Sequence, residues 1–214
     1  MQFTFTGNNS RFLEQSFYDG TGALSIALTS ISPTEAVLTH TVFTQANVNV
    51  VLRGQGLSAD DQGNAVSGVI TSMTFNGLNI EQATITGINW PADAFQDALI
   101  DIGNSSDFTT LAALFNDSPQ ISIDASRALT GFDQEDAWAA LLPLITSPIS
   151  IVGSQFDDSV EGSSGDDTIS TGASSEDGDR SVGSTGDDTI LFDVPPGTDG
   201  PGFFLDYDSI GAPV

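Results

Sequence analysis

Three stretches of the chain bring two adjacent aspartates to the same place behind a leading glycine. They are "GSQFDDSVE" from Gly153 to Glu161, "GSSGDDTIS" from Gly162 to Ser170 and "GSTGDDTIL" from Gly183 to Leu191. Carboxylates repeated at a fixed spacing beside small-residue turns are chemistry for hard cations, which take carboxylate and carbonyl oxygen as ligands. Glycine and serine in the first half of each unit allow a tight turn whose carbonyls can face an ion. The second half alternates and carries one apolar residue at the eighth place: Val160, Ile169 and Ile190, with Ile151 where a preceding unit would have its own.

Other chemistry is scarce. The chain has no cysteine, which excludes disulfides, thiolate zinc sites and cysteine nucleophiles. His40 is the only histidine and lies in the strand-like run "AVLTHTVFT"; no Ser/His/Asp set follows from spacing. "GQGLSA" from Gly54 to Ala59 fits a loose dinucleotide pattern, but a further strand pattern follows where that motif needs a helix, so a polar turn is the better reading. Asp60 and Asp61 form an acid pair of a kind too common in this chain to mark acid/base catalysis. Trp90 and Trp138 are the candidates for stacking on a sugar ring. The spacing of Trp138, Leu141 and Leu142 on one helical face, and the place of Trp90 at a helix start, favour core packing for both.

The charge is lopsided. Asp and Glu number 29 against 4 arginines (Arg11, Arg53, Arg127 and Arg180) with no lysine, for a formal net charge of -25 over 214 residues. Such a surface repels phosphate backbones and excludes nucleic acid as a partner. About half of the acids follow Gly153, in under a third of the chain. That density opposes compaction unless a bound cation neutralises it. No apolar run approaches the roughly 20 residues of a membrane span, so membrane insertion is not expected. The start, "MQFTFTGNNSRFLEQ", lacks the basic and apolar stretches of a cleavable signal. The expectation is a cytosolic protein or one exported by a route that ignores its N-terminus.

The elements that must hold the repeats can be read from periodicity. Phe3 and Phe5, then Leu24, Ile26 and Leu28, then Val48, Val50 and Leu52, then Val69, Met73 and Phe75 alternate with polar neighbours, as half-buried antiparallel strands do. Asn76-Gly77 signals a hairpin. After Trp90 the period changes: Ala94, Phe95, Ala98, Leu99 and Ile102 share one helical face, Phe108, Leu111, Leu114 and Phe115 a second, and a third helix spans about Asp133 to Leu142. Ile121 and Ile123 predict a short strand. Residues 1–148 therefore form a β-rich N-terminal domain with short helices. Residues 149–191 carry the repeats, and 192–214 form a C-terminal tail.

A chain that turns every nine residues winds into a flattened coil with two parallel sheets and its apolar residues stacked between them. The three units resemble the RTX family, the haemolysin-type calcium-binding nonapeptides G-G-x-G-x-D-x-U-x with U apolar. The resemblance implies a short parallel β-roll, with each calcium ion held between turns of adjacent coils. Its ligands would be the sixth-place aspartates Asp158, Asp167, Asp179 and Asp188. Carbonyls of Gly162, Ser163, Ser164, Gly183, Ser184 and Thr185 would complete the set. Serine replaces the second glycine in every unit, Phe156 stands at a usual glycine, and "TGASSEDGDRSV" puts twelve residues where nine are expected. A bulge is expected there, with Asp179 at its sixth place and Ser181 at the eighth. Upstream, "SGVITSMTFNGLNIEQATITGINW" and "LLPLITSPISIVGS" look like a β-rich domain that precedes RTX repeats in alphaproteobacterial proteins.

RTX proteins are generally exported by type I secretion through an uncleaved C-terminal signal. The resemblance thus implies a secreted, extracellular protein whose acidic repeats fold on meeting calcium. Its N-terminal domain would contact a surface, with an extracellular glycan or a cell-surface molecule as partner. The alternative is a secreted polysaccharide-active enzyme using the repeats for export and folding. No catalytic residue is predicted.

Overall fold

A computed structural model describes residues 1–9, 11–17, 24–42, 48–77, 79–134, 137–172, 179–191 and 204–206. The protein is mainly β. Strands β1 (Gln2–Phe5), β2 (Ile26–Ser32), β3 (Glu35–His40), β4 (Asn49–Ala59), β5 (Ala65–Gly77) and β6 (Ile80–Pro91) come first, with helix α1 (Phe12–Phe17) after β1. Helices α2 (Ala92–Ser105) and α3 (Thr109–Asn116), strand β7 (Ile121–Asp124), helix α4 (Ala137–Leu141) and a 3₁₀ turn at Leu142–Leu144 follow. Six short strands complete the described chain: β8 (Ile149–Val152), β9 (Ser159–Glu161), β10 (Thr168–Ser170), β11 (Arg180–Val182), β12 (Thr189–Leu191) and β13 (Phe204–Asp206).

Among the described residues, ten strands form one mixed sheet in the order β12-β10-β8-β7-β1-β6-β5-β4-β3-β2, and β13-β11-β9 form a second. The expected antiparallel pairing holds from β2 to β6 and between β6 and β1. It fails at β1–β7 and β7–β8, which are parallel. Alternation shows which face of a strand is buried but not which way its neighbour runs; the helices between β6 and β7 return the chain to the sheet in the same direction as β1. The predicted third helix is also shorter, since Asp133 makes a parallel bridge to Ser159. Gly77 pairs with Ile80, so the reversal lies beyond Asn76-Gly77, and Asn79 takes the left-handed φ of 65°.

One row of cross-strand partners explains why ten of these strands make one sheet. Ile190, Ile169, Ile151, Ile123, Phe3, Ile85, Met73, Leu52, Ala36 and Ile31 are successive partners across all ten strands. Registry of apolar residues on one face is what pins strands together, because a one-residue slip would turn the row to solvent. The row from Ile169 to Leu52 is buried, and α2, α3 and α4 cover its middle with Phe95, Leu99, Leu111, Phe115 and Trp138. Both ends of the row thin out: Ile190 is only half-buried and Ile31 is 41% exposed.

The repeats continue this sheet across residue 148. From β8 onward the chain alternates between the two sheets, so β8, β10 and β12 stack in parallel on one side and β9, β11 and β13 on the other. Residues 192–203 and 207–214 of the expected tail lie outside the described residues, whereas Phe204–Asp206 pairs in parallel with β11. The bulge expected at the twelve-residue segment leaves the register intact. Arg180 still pairs with Ser159 and Ser181 with Val160, which aligns Asp179 with Asp158.

Candidate metal centre

Each repeat is built around its sixth-place aspartate, which folds back on its own unit. Asp158 Oδ2 accepts from the Ser154 N–H at 2.7 Å, Asp167 Oδ2 from the Ser163 N–H at 2.5 Å and Asp188 Oδ2 from the Ser184 N–H at 3.1 Å. The leading glycine makes room for this. A Cβ on Gly153 would lie 2.5 Å from Asp158 Oδ2 and one on Gly183 3.0 Å from Asp188 Oδ2, and one on Gly162 would collide with Asp167. Fourth-place glycines serve the stacking, since a Cβ on Gly186 would strike the Gly165 carbonyl of the coil beneath. Glycine first and aspartate sixth are thus one steric unit.

The second carboxylate oxygen reaches across to the neighbouring coil. Asp188 Oδ1 accepts from the Asp167 N–H at 3.0 Å, and Asp179 Oδ1 from the Asp158 N–H at 3.0 Å. Asp167 Oδ1 takes the Ile149 N–H at 2.7 Å and Asp158 Oδ1 the Phe132 N–H at 2.6 Å. The structure therefore brings the four predicted aspartates into two columns, Asp158 with Asp179 and Asp167 with Asp188. Of the predicted carbonyl donors, Gly162 and Ser163 are buried, Ser164, Gly183 and Ser184 half-buried, and Thr185 exposed.

These columns are electrostatically uncomfortable. Burial pushes Asp158 up to about 6, against the pull of the Phe132 and Ser154 donors, and the Asp179 carboxylate adds to the rise. Burial likewise raises Asp167, with Asp188 adding repulsion, and raises Asp179. Thr171 lowers Asp179, yet its hydroxyl does not reach hydrogen-bonding geometry; Thr171 Oγ1 and Asp179 Oδ2 are both buried without a partner. Among the described residues no cationic side chain contributes to these shifts.

An oxygen-seeking cation fits part of this arrangement. Asp179 offers an orphaned buried oxygen, and Asp188 has only one backbone donor on each oxygen. Asp158 and Asp167 are more fully engaged, because the second-place serine adds its hydroxyl: Ser154 Oγ lies 2.8 Å from Asp158 Oδ1 and Ser163 Oγ 2.9 Å from Asp167 Oδ1. This role of the serines was not foreseen; their recurrence in place of glycine was its visible sign. Among the described residues no group of three or more His, Cys, Asp or Glu gathers as a metal cluster.

The remaining candidates are structural. His40 is fully buried and its Nδ1 accepts from the Val42 N–H. Gly54 and Gly56 lie within β4, with no helix following, and Asp60 closes the β4–β5 turn. Trp90 and Trp138 are each 2% exposed, so neither is a platform for a sugar. Among the described residues no helix is long and apolar enough to cross a membrane. Comparison of the chain with family models, curated proteins and solved structures finds no match.

A pH effect follows from Asp158. Its carboxyl holds a proton more tightly in the folded protein, at about 6, than at the ordinary value of 3.8. The folded state thus binds more protons between those values, and the stability present below them is lost as pH rises through the window. In chelator, the melting temperature should therefore rise as pH falls from about 7 to about 5. Asp158→Asn should remove part of that slope in a series of thermal melts.

Proposed function

We propose that residues 149–191 are a calcium-binding β-roll of the RTX type, in a secreted protein whose N-terminal region meets an extracellular partner. The observation that carries this reading is the pairing of buried like charges. Sixth-place aspartates of adjacent coils stand in register, Asp158 over Asp179 and Asp167 over Asp188; burial raises Asp158, Asp167 and Asp179, and the facing carboxylate adds to the rise of Asp158 and of Asp167. Bound calcium would supply the missing positive charge and accept the oxygens left over. Asp167 and Asp188 would hold one ion with carbonyls of Gly162, Ser163, Ser164, Gly183, Ser184 and Thr185, and Asp158 and Asp179 a second. Magnesium suits such a site poorly, because it demands a small octahedron and gives up water reluctantly.

The chain's own residues prepare the site. Leading glycines admit the carboxylates, second-place N–H groups orient them, and the alternation between two sheets stacks one aspartate over the next. If Asp167 and Asp188 share one ion, Asp167→Asn and Asp188→Asn should each weaken the same calorimetric binding event. The double variant should then lose little more than either single one, since partners in one site are not additive. Additive losses would mean two independent sites, and unchanged calcium binding in all three variants would reject this reading.

A further inference from the structure

A groove lies at the opposite end of the large sheet from the aspartate columns. It measures about 610 Å³ and runs between helix α2 and the β2–β5 end of the large sheet. Its volume falls in the range of small-molecule sites, roughly 300 to 1,000 Å³. Leu28, Leu38, Leu57, Phe95, Leu99 and Ile100 line it. Leu57, Phe95 and Leu99 are buried, Leu28 and Leu38 half-buried, and Ile100 is 36% exposed.

Irregular strand pairing borders this opening. Register shifts fall between Leu28 and Ser30 on β2, and between Arg53 and Gly54 and between Gln55 and Ser58 on β4. Bulges turn a strand away from its neighbours and re-aim its side chains. The rim is held rigidly. Asp60 Oδ1 accepts from the Gln62 and Asn64 N–H groups, Asn64 Nδ2 donates to Asp60 Oδ2, and Gln96 Nε2 of α2 donates to Asn64 Oδ1 at 3.2 Å. Gln96 Oε1 also accepts from the Ala65 N–H. The β4–β5 turn and α2 are thereby bracketed together at the rim of the groove.

Chemistry selects the occupant. The walls are chiefly aliphatic, and the rim amides are tied to one another, which leaves little for the many hydroxyls of a sugar. Among the described lining residues Asp60 and Asp61 are the ionisable ones, both exposed at the mouth, and Asp60 is held ionised by its Asn64 and Gln62 donors. An anionic amphiphile would meet two carboxylates on a chain of net charge -25. We propose that this groove binds a small amphiphile with an aliphatic body and a cationic head, the chain lying along Leu28, Leu57 and Leu99 and the head at Asp61. This inference is independent of the calcium reading.

The test is titration calorimetry on the full chain, with calcium present, using dodecyltrimethylammonium below its micelle concentration. Dodecanoate and dodecyl maltoside serve as anionic and neutral probes. One saturable site for the cation is expected, bound at least about tenfold more tightly than dodecanoate, with Asp61→Asn narrowing the difference. Ile100→Trp and Leu28→Trp each fill the groove without adding charge and should weaken binding by about tenfold or more, with circular dichroism confirming the fold. Multiple weak sites insensitive to both variants would mean adsorption to an acidic surface and would overturn the proposal, as would equal binding of dodecanoate. A concentration-dependent dimer broken by Ile100→Trp would assign the groove to a second copy and overturn it as well.

Discussion

Trp138→Ala should lower the stability of the protein by about 3 to 5 kcal/mol, the range for removing a fully packed aromatic side chain. The indole is 2% exposed and sits where four elements meet. Its ring makes edge contacts with Phe3 of β1 at 5.5 Å, Phe115 of α3 at 6.4 Å and Phe132 at 6.5 Å. Phe132 in turn donates its N–H to Asp158, so a void at Trp138 would also loosen the anchor of the first coil. The indole N–H is buried without a partner, and a phenyl ring would keep the packing while removing an unsatisfied donor. Trp138→Phe should therefore cost less than Trp138→Ala, because it leaves the smaller void. Thermal melts read both, at roughly 2 to 4 °C per kcal/mol for a chain of this size. An unchanged melting temperature for Trp138→Ala would remove Trp138 from the core.

The buried face was legible where alternation runs unbroken, on β4 and the second half of β5, but not at Leu24, which is exposed, nor at Val69, beside which Ile70 is the buried residue. Val50, Leu52, Met73 and Phe75 are all buried, as are Leu141 and Leu142 beside Trp138. What alternation does not carry is the partner. The parallel pairing of β1 with β7, which brings the chain's start beside the strand that supports the repeats, depends on two helices intervening and on the row from Phe3 to Ile123. The place of Asp179, sixth in its segment with Ser181 eighth, was legible as the best match to the frame, although its spacing was irregular. A nine-letter count fails across twelve residues, whereas the fold restores the frame with the Ser181–Val160 pair and the Asp158 N–H bond to Asp179. Ser181 stands buried and without a partner at a place where the other units put an apolar residue. The groove left no mark in the letters, because no periodicity announces the register shifts in the strands that line it.

Calcium should order the repeats in steps from the sheet outward, and this is the largest effect expected of any ligand. Strand β8 is fastened to β7 through Ile151 and Ile123, within the main core. It should be protected from hydrogen exchange even in chelator. Beyond it the apolar stack thins. Val160 and Ile169 are buried, Ser181 interrupts the second row, and Ile190 is half-exposed, while the aspartate columns repel. Few apolar contacts and neighbouring like-charged carboxylates make β10, β11 and β12 the low-stability end of the molecule. Binding that occurs only in the folded state adds about 2.7 kcal/mol per site at a hundredfold excess over Kd. Extracellular calcium modules have Kd values of roughly 10⁻⁴ to 10⁻³ M, so ten to a hundred millimolar ion spans that excess. Amides of Thr168–Ser170, Arg180–Val182 and Thr189–Leu191 are therefore expected to exchange within minutes in chelator and to become protected on adding calcium. Those of β1, β5 and β6 should not change. Magnesium at the same concentration should leave the three outer strands exchanging. Full protection of β12 in chelator would show that the hydrogen-bonded aspartates suffice without metal. An equal response to magnesium would replace calcium selectivity by simple screening of charge.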